Sequence, residues 1–350
     1  MASVQLRHIQ HRFGDFPALN DLCLDIESGD YVALLGENGC GKTTALRVIA
    51  GLLKPSSGSI FLGGECMDGI PPRRRSVGMM MQGTTLYPHL NAAQNIEFGS
   101  TENSPPSGSS ASHAIEMVGV GNLLDRFPHQ LSGGELRRVA IAKAIAGDPP
   151  IRLFDEPLSA IDSTTSSRLE RDLMQVHQTI GGTTIHVTHD AGEAMRMADK
   201  IAVMHQGGLL QYDSPEIISS QPNSVHVANR IAISPINWFQ AAIDDDSLRF
   251  DQPDVKAQGD WSAFLNRFPM LPAKTLVGVR PESFAPECFQ ATASQSSKPL
   301  LSASSANVIV RGVVQHHSNH LDTSRFDADA EDIMFFDAET GLAIRSVASQ

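Results

Sequence analysis

Eight residues constrain this chain more than any others. Gly36, Glu37, Asn38, Gly39, Cys40, Gly41, Lys42 and Thr43 fit the spacing G-x-x-x-x-G-K-[ST]. They lie between an apolar run, Tyr31 to Leu35, and a helical-looking segment that opens at Thr44 and runs through Ile49. In a strand–loop–helix unit the loop amides face phosphate oxygens, and the helix N-terminus adds partial positive charge. Glycines let such a loop take left-handed angles and approach the phosphates closely. A lysine at the place of Lys42 reaches the β/γ-oxygens, and a hydroxyl at the place of Thr43 ligates Mg²⁺. The pattern predicts a nucleoside triphosphate site on an α/β sheet. A mere glycine turn is the alternative, and the flanking strand and helix speak against it.

Further segments extend the pattern in chain order. Gln82 closes a strand-like run, Val77 to Met81. Leu131-Ser132-Gly133-Gly134-Glu135 is a second glycine-rich turn that opens a helix, and so a second anion-binding helix start. Ile151 to Phe154 reads as a short apolar strand ending in two carboxylates, Asp155 and Glu156. Ligands collect at the carboxyl ends of strands in open α/β sheets, so Asp155 is placed to hold Mg²⁺ and Glu156 to polarise an attacking water. His189 follows the strand-like Thr184 to Val187 and precedes another helix. Phe13, with Phe16 as competitor, offers a flat apolar partner for a base.

These motifs, with Pro157, Ser159-Ala160-Ile161-Asp162 and Thr188-His189-Asp190, make the chain resemble the ATP-binding-cassette ATPases. Within them it is most similar to the ATPase subunits of maltose and glycerol-3-phosphate importers. That narrower likeness rests on Gly39 to Lys42, Leu86 to Leu90, Asp190 to Asp199, Ser234 to Asn237 and Val277 to Glu282. The resemblance implies a P-loop NTPase cassette of α/β class, with an antiparallel β flap and a helical subdomain at about 83–150. It also implies a nucleotide-binding domain over 1–234 and a complete or partial C-terminal β-rich, oligonucleotide-binding-like (TOBE-type) regulatory domain over 235–350. ATP is then the substrate. Thr43, Gln82 and Asp155 hold Mg²⁺, Glu156 is the general base, and His189 senses the γ-phosphate. Residues 36–44 and Phe13 bind the nucleotide. Ser132, Gly133, Gly134 and Glu135 cap the nucleotide of a second copy, and Asp162 sets that interface. The implied partners are a second copy, two multi-span permease subunits at the cytoplasmic face of the inner membrane, and, indirectly, an extracytoplasmic solute-binding protein. The expected solute is a sugar, sugar alcohol or glycerol phosphate; a polyamine, iron or phosphonate is the rival. A soluble non-transport cassette or a regulatory adaptor is the reading from a different class.

Bulk properties agree with this picture. No run nears the roughly 18 apolar residues that span a bilayer, and the N-terminus has no signal-peptide core, so a cytoplasmic protein is expected. A net charge of −12 disfavours nucleic acid as a partner. The four cysteines, Cys23, Cys40, Cys66 and Cys288, have no zinc-finger or redox spacing. Residues 100–113, rich in serine, are expected to form a polar loop, with helix resuming at Ala114, and residues 290–306 a second flexible stretch. Two departures from the family pattern stand out. Glu135 replaces a usual glutamine and puts a carboxylate near a nucleotide. Arg152 interrupts a central strand, where it is expected to snorkel to an edge.

Overall fold

Strand β3 (Tyr31–Gly36), β7 (Ile151–Asp155) and β8 (Thr183–Thr188) are buried along their whole length, as parallel strands covered on both faces must be. A computed structural model of the chain describes residues 2–83, 86–99, 109–159, 163–234, 236–244, 247–251, 256–258, 271–272, 274–279, 309–315, 323–329 and 333–344. With β6 (Val77–Met80), β9 (Lys200–His205) and β10 (Gly208–Asp213), the buried strands form a six-stranded sheet of order β10-β9-β3-β8-β7-β6. Only the β9–β10 pair is antiparallel. Register aligns the carboxyl ends: Leu35 pairs with Thr188, Asp155 with Val187 and Met80 with Phe154. Residues just beyond those pairs therefore emerge along one edge of the sheet.

A second, antiparallel sheet of order β2-β1-β4-β5 contains β1 (Val4–Phe13), β2 (Phe16–Ile26), β4 (Ser57–Leu62) and β5 (Glu65–Cys66). Its buried face, including Val4, Leu6, Ile9 and Leu22, shares one core with β3 and with helix α1 (Lys42–Ile49). Arg75 ties these layers. Its guanidinium donates to the carbonyls of Val48 and Ile49 at the end of α1, and to those of Met67 and Ile70, at 2.8–3.0 Å. It thus supplies a donor to the helix-end carbonyl of Ile49 and a second one to that of Val48, which also accepts from the Gly51 amide.

Helices α2 (Ala92–Glu97), α3 (Ser109–Val118), α4 (Gly133–Ile145) and α5 (Ser163–Ile180) gather around a second core built from Ile96, Ala114, Val118, Ile141, Ile145 and Leu173. The expected loop over 100–113 needs correction. Residues 109–113 are already helical in α3, because the buried Ala114 and Val118 anchor the helix and short serines do not oppose it; residues 100–108 lie outside the described residues. Arg152 also departs from expectation. It does not reach an edge but is fully buried, donating to Thr184 Oγ1 at 3.4 Å and to the Gly181 carbonyl. Burial pushes its pKa down to about 10.

The chain divides into two compact units, Met1–Ile218 and Ser219–Gln350. The first ends after α6 (Ala191–Met197), β9, β10 and the start of α7 (Pro215–Ser220). In the second, α8 (Val225–Ile231) packs Ala228 against Ile236 and Phe336. Its strands β11 (Asn237–Asp244), β12 (Ser247–Phe250), β13 (Lys256–Gln258), β14 (Lys274–Val279), β15 (Ile309–Gln315), β16 (Thr323–Asp329) and β17 (Ile333–Asp337) form two antiparallel sheets, β12-β11-β14-β17 and β13-β15-β16. Residues 290–306 lie outside the described residues. No helix among the described residues is long and apolar enough to cross a membrane.

Arg75→Met keeps the buried stem and removes the donors. We expect it to lower the stability of the first unit by roughly 3 kcal/mol, because several buried carbonyls lose a charged partner. Urea unfolding followed by far-UV circular dichroism checks this through the midpoint of the first transition.

Candidate functional site: a phosphate loop under an aromatic rim

The loop between β3 and α1 is held by its own backbone. Gly41 caps α1 in a left-handed conformation (φ 104°), and no side chain caps the first helical amides. Those amides remain turned toward whatever anion enters. Lys42 is buried, and its ammonium donates to the carbonyls of Gly36 and Glu37 at 2.8 Å each. Cys40 is buried under the loop, and a Cβ on Gly36 would stand 2.5 Å from Cys40 Sγ and 2.6 Å from the Met204 carbonyl. The loop thus has one tight path, for which Gly36 has no substitute.

The carboxyl ends of the neighbouring strands bring acidic groups to this loop. The Thr43 hydroxyl donates to Asp155 Oδ1 at 2.9 Å, while Asp155 Oδ2 is buried with no hydrogen-bond partner. Burial, and then the nearby charge of Glu156, raise the Asp155 pKa. Glu156 sits at φ 49°, a backbone conformation that is strained for a residue with a side chain and recurs at functional sites. Its carboxylate accepts from Gln82 Nε2 at 3.0 Å and lies 3.6 Å from His189 Nδ1. Gln82, Glu156 and His189, far apart in sequence, therefore meet around one carboxylate. The unpartnered Asp155 oxygen, the Thr43 hydroxyl and the amide of Gln82 make an all-oxygen donor set of the kind that suits a hard divalent cation such as Mg²⁺.

Phe13 and Phe16 flank the β1–β2 turn, paired across it, and both rings are at least half exposed. Together with Asn38, Gly39, Gly41, Lys42, Thr43, Thr44, Arg47, Gln82 and Glu156 they line a cavity of about 400 Å³. Both candidate aromatics thus border the cavity. The edge of Phe13 also rests against His11, with ring centroids 4.7 Å apart.

Ser132, Gly133, Gly134 and Glu135 do not line this cavity. Ser132 is the N-cap of α4, and Glu135 closes a capping box, accepting from the Ser132 amide and hydroxyl at 2.8 Å each. Those bonds, assisted by Arg126 at 3.3 Å, hold the Glu135 pKa below the usual range. The unusual carboxylate is turned back on its own helix start and has a cation beside it. Asp162 lies outside the described residues.

Two supporting groups escaped the sequence reading. Arg137 on α4 donates to the carbonyls of Glu156 and Pro157 at 2.7 and 2.9 Å, and so fixes the strained turn. Glu193 accepts from the Thr188 hydroxyl at 2.6 Å; Thr188 in turn accepts from the Asp190 amide, and Asp190 Oδ1 caps the Glu193 amide. This ring of bonds braces the segment bearing His189. The only sequence signals were a charged residue two places after Glu135 and an N-cap pattern at Asp190.

Residues 19–159 match the family described as ABC transporter. The xylose/arabinose import ATP-binding protein of Haloferax volcanii is 41% identical over 241 residues, 68% of this chain and 63% of that one, so the match spans less than two thirds of that relative. The trehalose/maltose import ATP-binding protein of Thermococcus litoralis is 36% identical over 299 residues, covering 83% of this chain and 80% of its own. The sulfoquinovosyl glycerol transport ATP-binding protein of Agrobacterium fabrum is 32% identical, covering 98% and 100%. Among solved structures, a dimeric post-hydrolysis state of the ATP-binding cassette MJ0796 bound to ADP and Pi aligns with a TM-score of 0.54 and 28% identity, over 61% of this chain and 98% of that one.

Gly36→Ala forces either Cys40 or the β9 backbone to move. The expected outcome is about a fivefold or greater loss of nucleotide affinity, in line with roughly 1–3 kcal/mol for overpacking a tight site. Titration with a fluorescent ATP analogue measures it. Glu135→Gln, by contrast, should change nucleotide-dependent self-association by less than about threefold, since the carboxylate is already compensated locally; sedimentation velocity reads that shift.

Proposed function

The chain belongs to the ATP-binding-cassette transporter family, and from that premise we propose that it is the ATP-hydrolysing subunit of an importer for a carbohydrate or polyol. The observation that carries the proposal is the Glu156 carboxylate, held by Gln82 and His189 at the rim of a cavity whose floor is Lys42, Thr43 and the loop amides. Lys42 and the amides neutralise the phosphates. Thr43, Asp155 and Gln82 hold Mg²⁺, which when bound offsets charge on the β- and γ-phosphate oxygens. Glu156 accepts a proton from the attacking water, Gln82 and His189 keep its carboxylate aimed, and Phe13 stacks on the base, with Phe16 beside it.

Ser132, Gly133 and Gly134 complete the site of a second copy arranged head to tail. Their place outside the cavity and the open space around Gly133 support that reading, as does the dimeric state of the MJ0796 cassette. Asp162 contributes to the same interface. The dimer is peripheral, seated on two permease subunits at the cytoplasmic face of the membrane and contacting them around Gln82 and Leu86 to Leu90. A solute-binding protein outside supplies the cargo. The solute class is supported by the relatives that act in xylose/arabinose, trehalose/maltose and sulfoquinovosyl glycerol transport. Residues 235–350 are read as a regulatory domain that also holds the dimer together.

Glu156→Gln should retain ATP binding, lower turnover by roughly 10²–10⁴-fold and accumulate a closed dimer on sedimentation with ATP. Lys42→Ala should instead lose nucleotide affinity. Wild-type turnover by Glu156→Gln refutes the assignment of the base. For the solute, ATPase activity of the chain reconstituted with its permease should rise with a sugar-loaded binding protein; stimulation by a polyamine, iron or phosphonate instead would reassign the importer.

A further inference from the structure

The outer antiparallel sheet carries a second group of ligating side chains, none of which lines the nucleotide cavity. Between the pairs Leu6–Leu24 and Ile9–Leu22, two residues of β1, Arg7 and His8, stand opposite one residue of β2, Cys23. Between Ile9–Leu22 and His11–Leu19 the imbalance reverses, and Asn20 and Asp21 stand opposite Gln10. These are two consecutive bulges on facing strands. Each contains a residue in the left-handed region, His8 (φ 50°) and Asp21 (φ 53°). The alternation of a strand is broken at both, so Arg7 with His8 and Asn20 with Asp21 are exposed in pairs while Leu6, Ile9, Leu19 and Leu22 stay buried.

An imidazole, a carboxylate and a thiol consequently converge on the solvent face, with one ligand atom of each lying within 4.8 Å of the others. His8 Nδ1 is 2.8 Å from Asp21 Oδ1 and 3.5 Å from Cys23 Sγ. The His8 amide donates to the same sulfur at 3.3 Å.

We propose that His8, Asp21 and Cys23 form a binding site for a thiophilic divalent metal of the zinc type, with a fourth position left to water or an outside ligand. The donor set of one nitrogen, one sulfur and one oxygen is that of tetrahedral zinc. A tetrahedral centre with ordinary Zn–S and Zn–N bonds separates those two atoms by roughly 3.6 Å, close to the 3.5 Å between Cys23 Sγ and His8 Nδ1. The His8 amide aimed at Cys23 Sγ holds that sulfur beside the imidazole. The β1 bulge is also built into the sheet. Gly58 on β4 lies against it, and a Cβ there would come within 2.4 Å of the His8 carbonyl and 2.6 Å of the Arg7 carbonyl. A nucleophile–base relay fits the cluster poorly, because one ring nitrogen, Nδ1, faces both the thiol and the carboxylate. Mg²⁺, which prefers six oxygens, has little reason to bind here.

The test uses the full chain, reduced and stripped with chelator, titrated with Co²⁺ in excess Mg²⁺ without nucleotide. One equivalent of Co²⁺ should produce tetrahedral visible bands and a near-ultraviolet thiolate charge-transfer band, both abolished by Zn²⁺. Cys23→Ser, an isosteric change at an exposed position, should remove the charge-transfer band. His8→Ala and Asp21→Asn should weaken Co²⁺ binding by roughly tenfold or more, since even outer-shell losses cost that much. Equal ATP turnover in the three variants establishes that they are folded. The proposal is overturned if wild type gives no charge-transfer band, if the band survives in Cys23→Ser and so belongs to another thiol, or if Zn²⁺ fails to displace Co²⁺.

Discussion

Everything at the nucleotide site depends on backbone packed against backbone. The phosphate loop is wedged between the β9–β10 turn and strand β2: the Gly207 amide donates to the Cys40 carbonyl at 3.0 Å, and the Asn20 amide donates to the Gly207 carbonyl at 2.9 Å. Main-chain contacts of this kind tolerate no side-chain adjustment, so the curve of the loop is set before any ligand arrives. Such preorganisation is what electrostatic stabilisation of a phosphoryl group requires, because dipoles already in place need no rearrangement when charge develops.

The acidic side of the cavity presents the opposite problem. Asp155 and Glu156 bring two adjacent carboxylates into a partly desolvated place, and their repulsion contributes to the raised pKa of Asp155. Local partners offset part of that cost. Thr43 holds one oxygen of Asp155, and Gln82 one oxygen of Glu156. Arg137, whose own pKa is lowered by burial, holds the carbonyls that follow. The remaining buried oxygen of Asp155 is the group a cation would satisfy. The site is therefore balanced for a ligand that carries both an anion and its metal.

How much of this was legible in the sequence depended on how local the determinant was. The phosphate loop and the Asp155-Glu156 pair were readable because loop chemistry is local and because the end of a parallel strand falls at a predictable edge. Gln82 and His189 were readable for the same reason, each following a strand. Arg75 and Arg152 were not. A charged residue is sent outward by any rule based on transfer energy, whether it interrupts an apolar strand as Arg152 does or ends an arginine run as Arg75 does, and only tertiary structure supplies the carbonyls and hydroxyl that let them stay inside. The start of α3 at Ser109 was hidden by serine-rich composition, and the packing of Ala114 and Val118 decided it. The paired bulges of β1 and β2 were missed too, since the three-residue spacings Leu6–Ile9 and Leu19–Leu22 break the alternation and a period-two reading takes such a break for the end of a strand.

Helix α4 has one consequence beyond support. Its first turn displays Ser132 to Gly134, and its next turn carries the Arg137 that grips the Glu156 carbonyl. In the proposed head-to-tail pair, two successive turns of one helix would then face the partner's nucleotide and hold the backbone of the residue proposed as base. Occupancy of either site would then be felt at its neighbour, and linkage would make that influence mutual. Two such chains would form a single thermodynamic unit, whose two sites do not titrate independently.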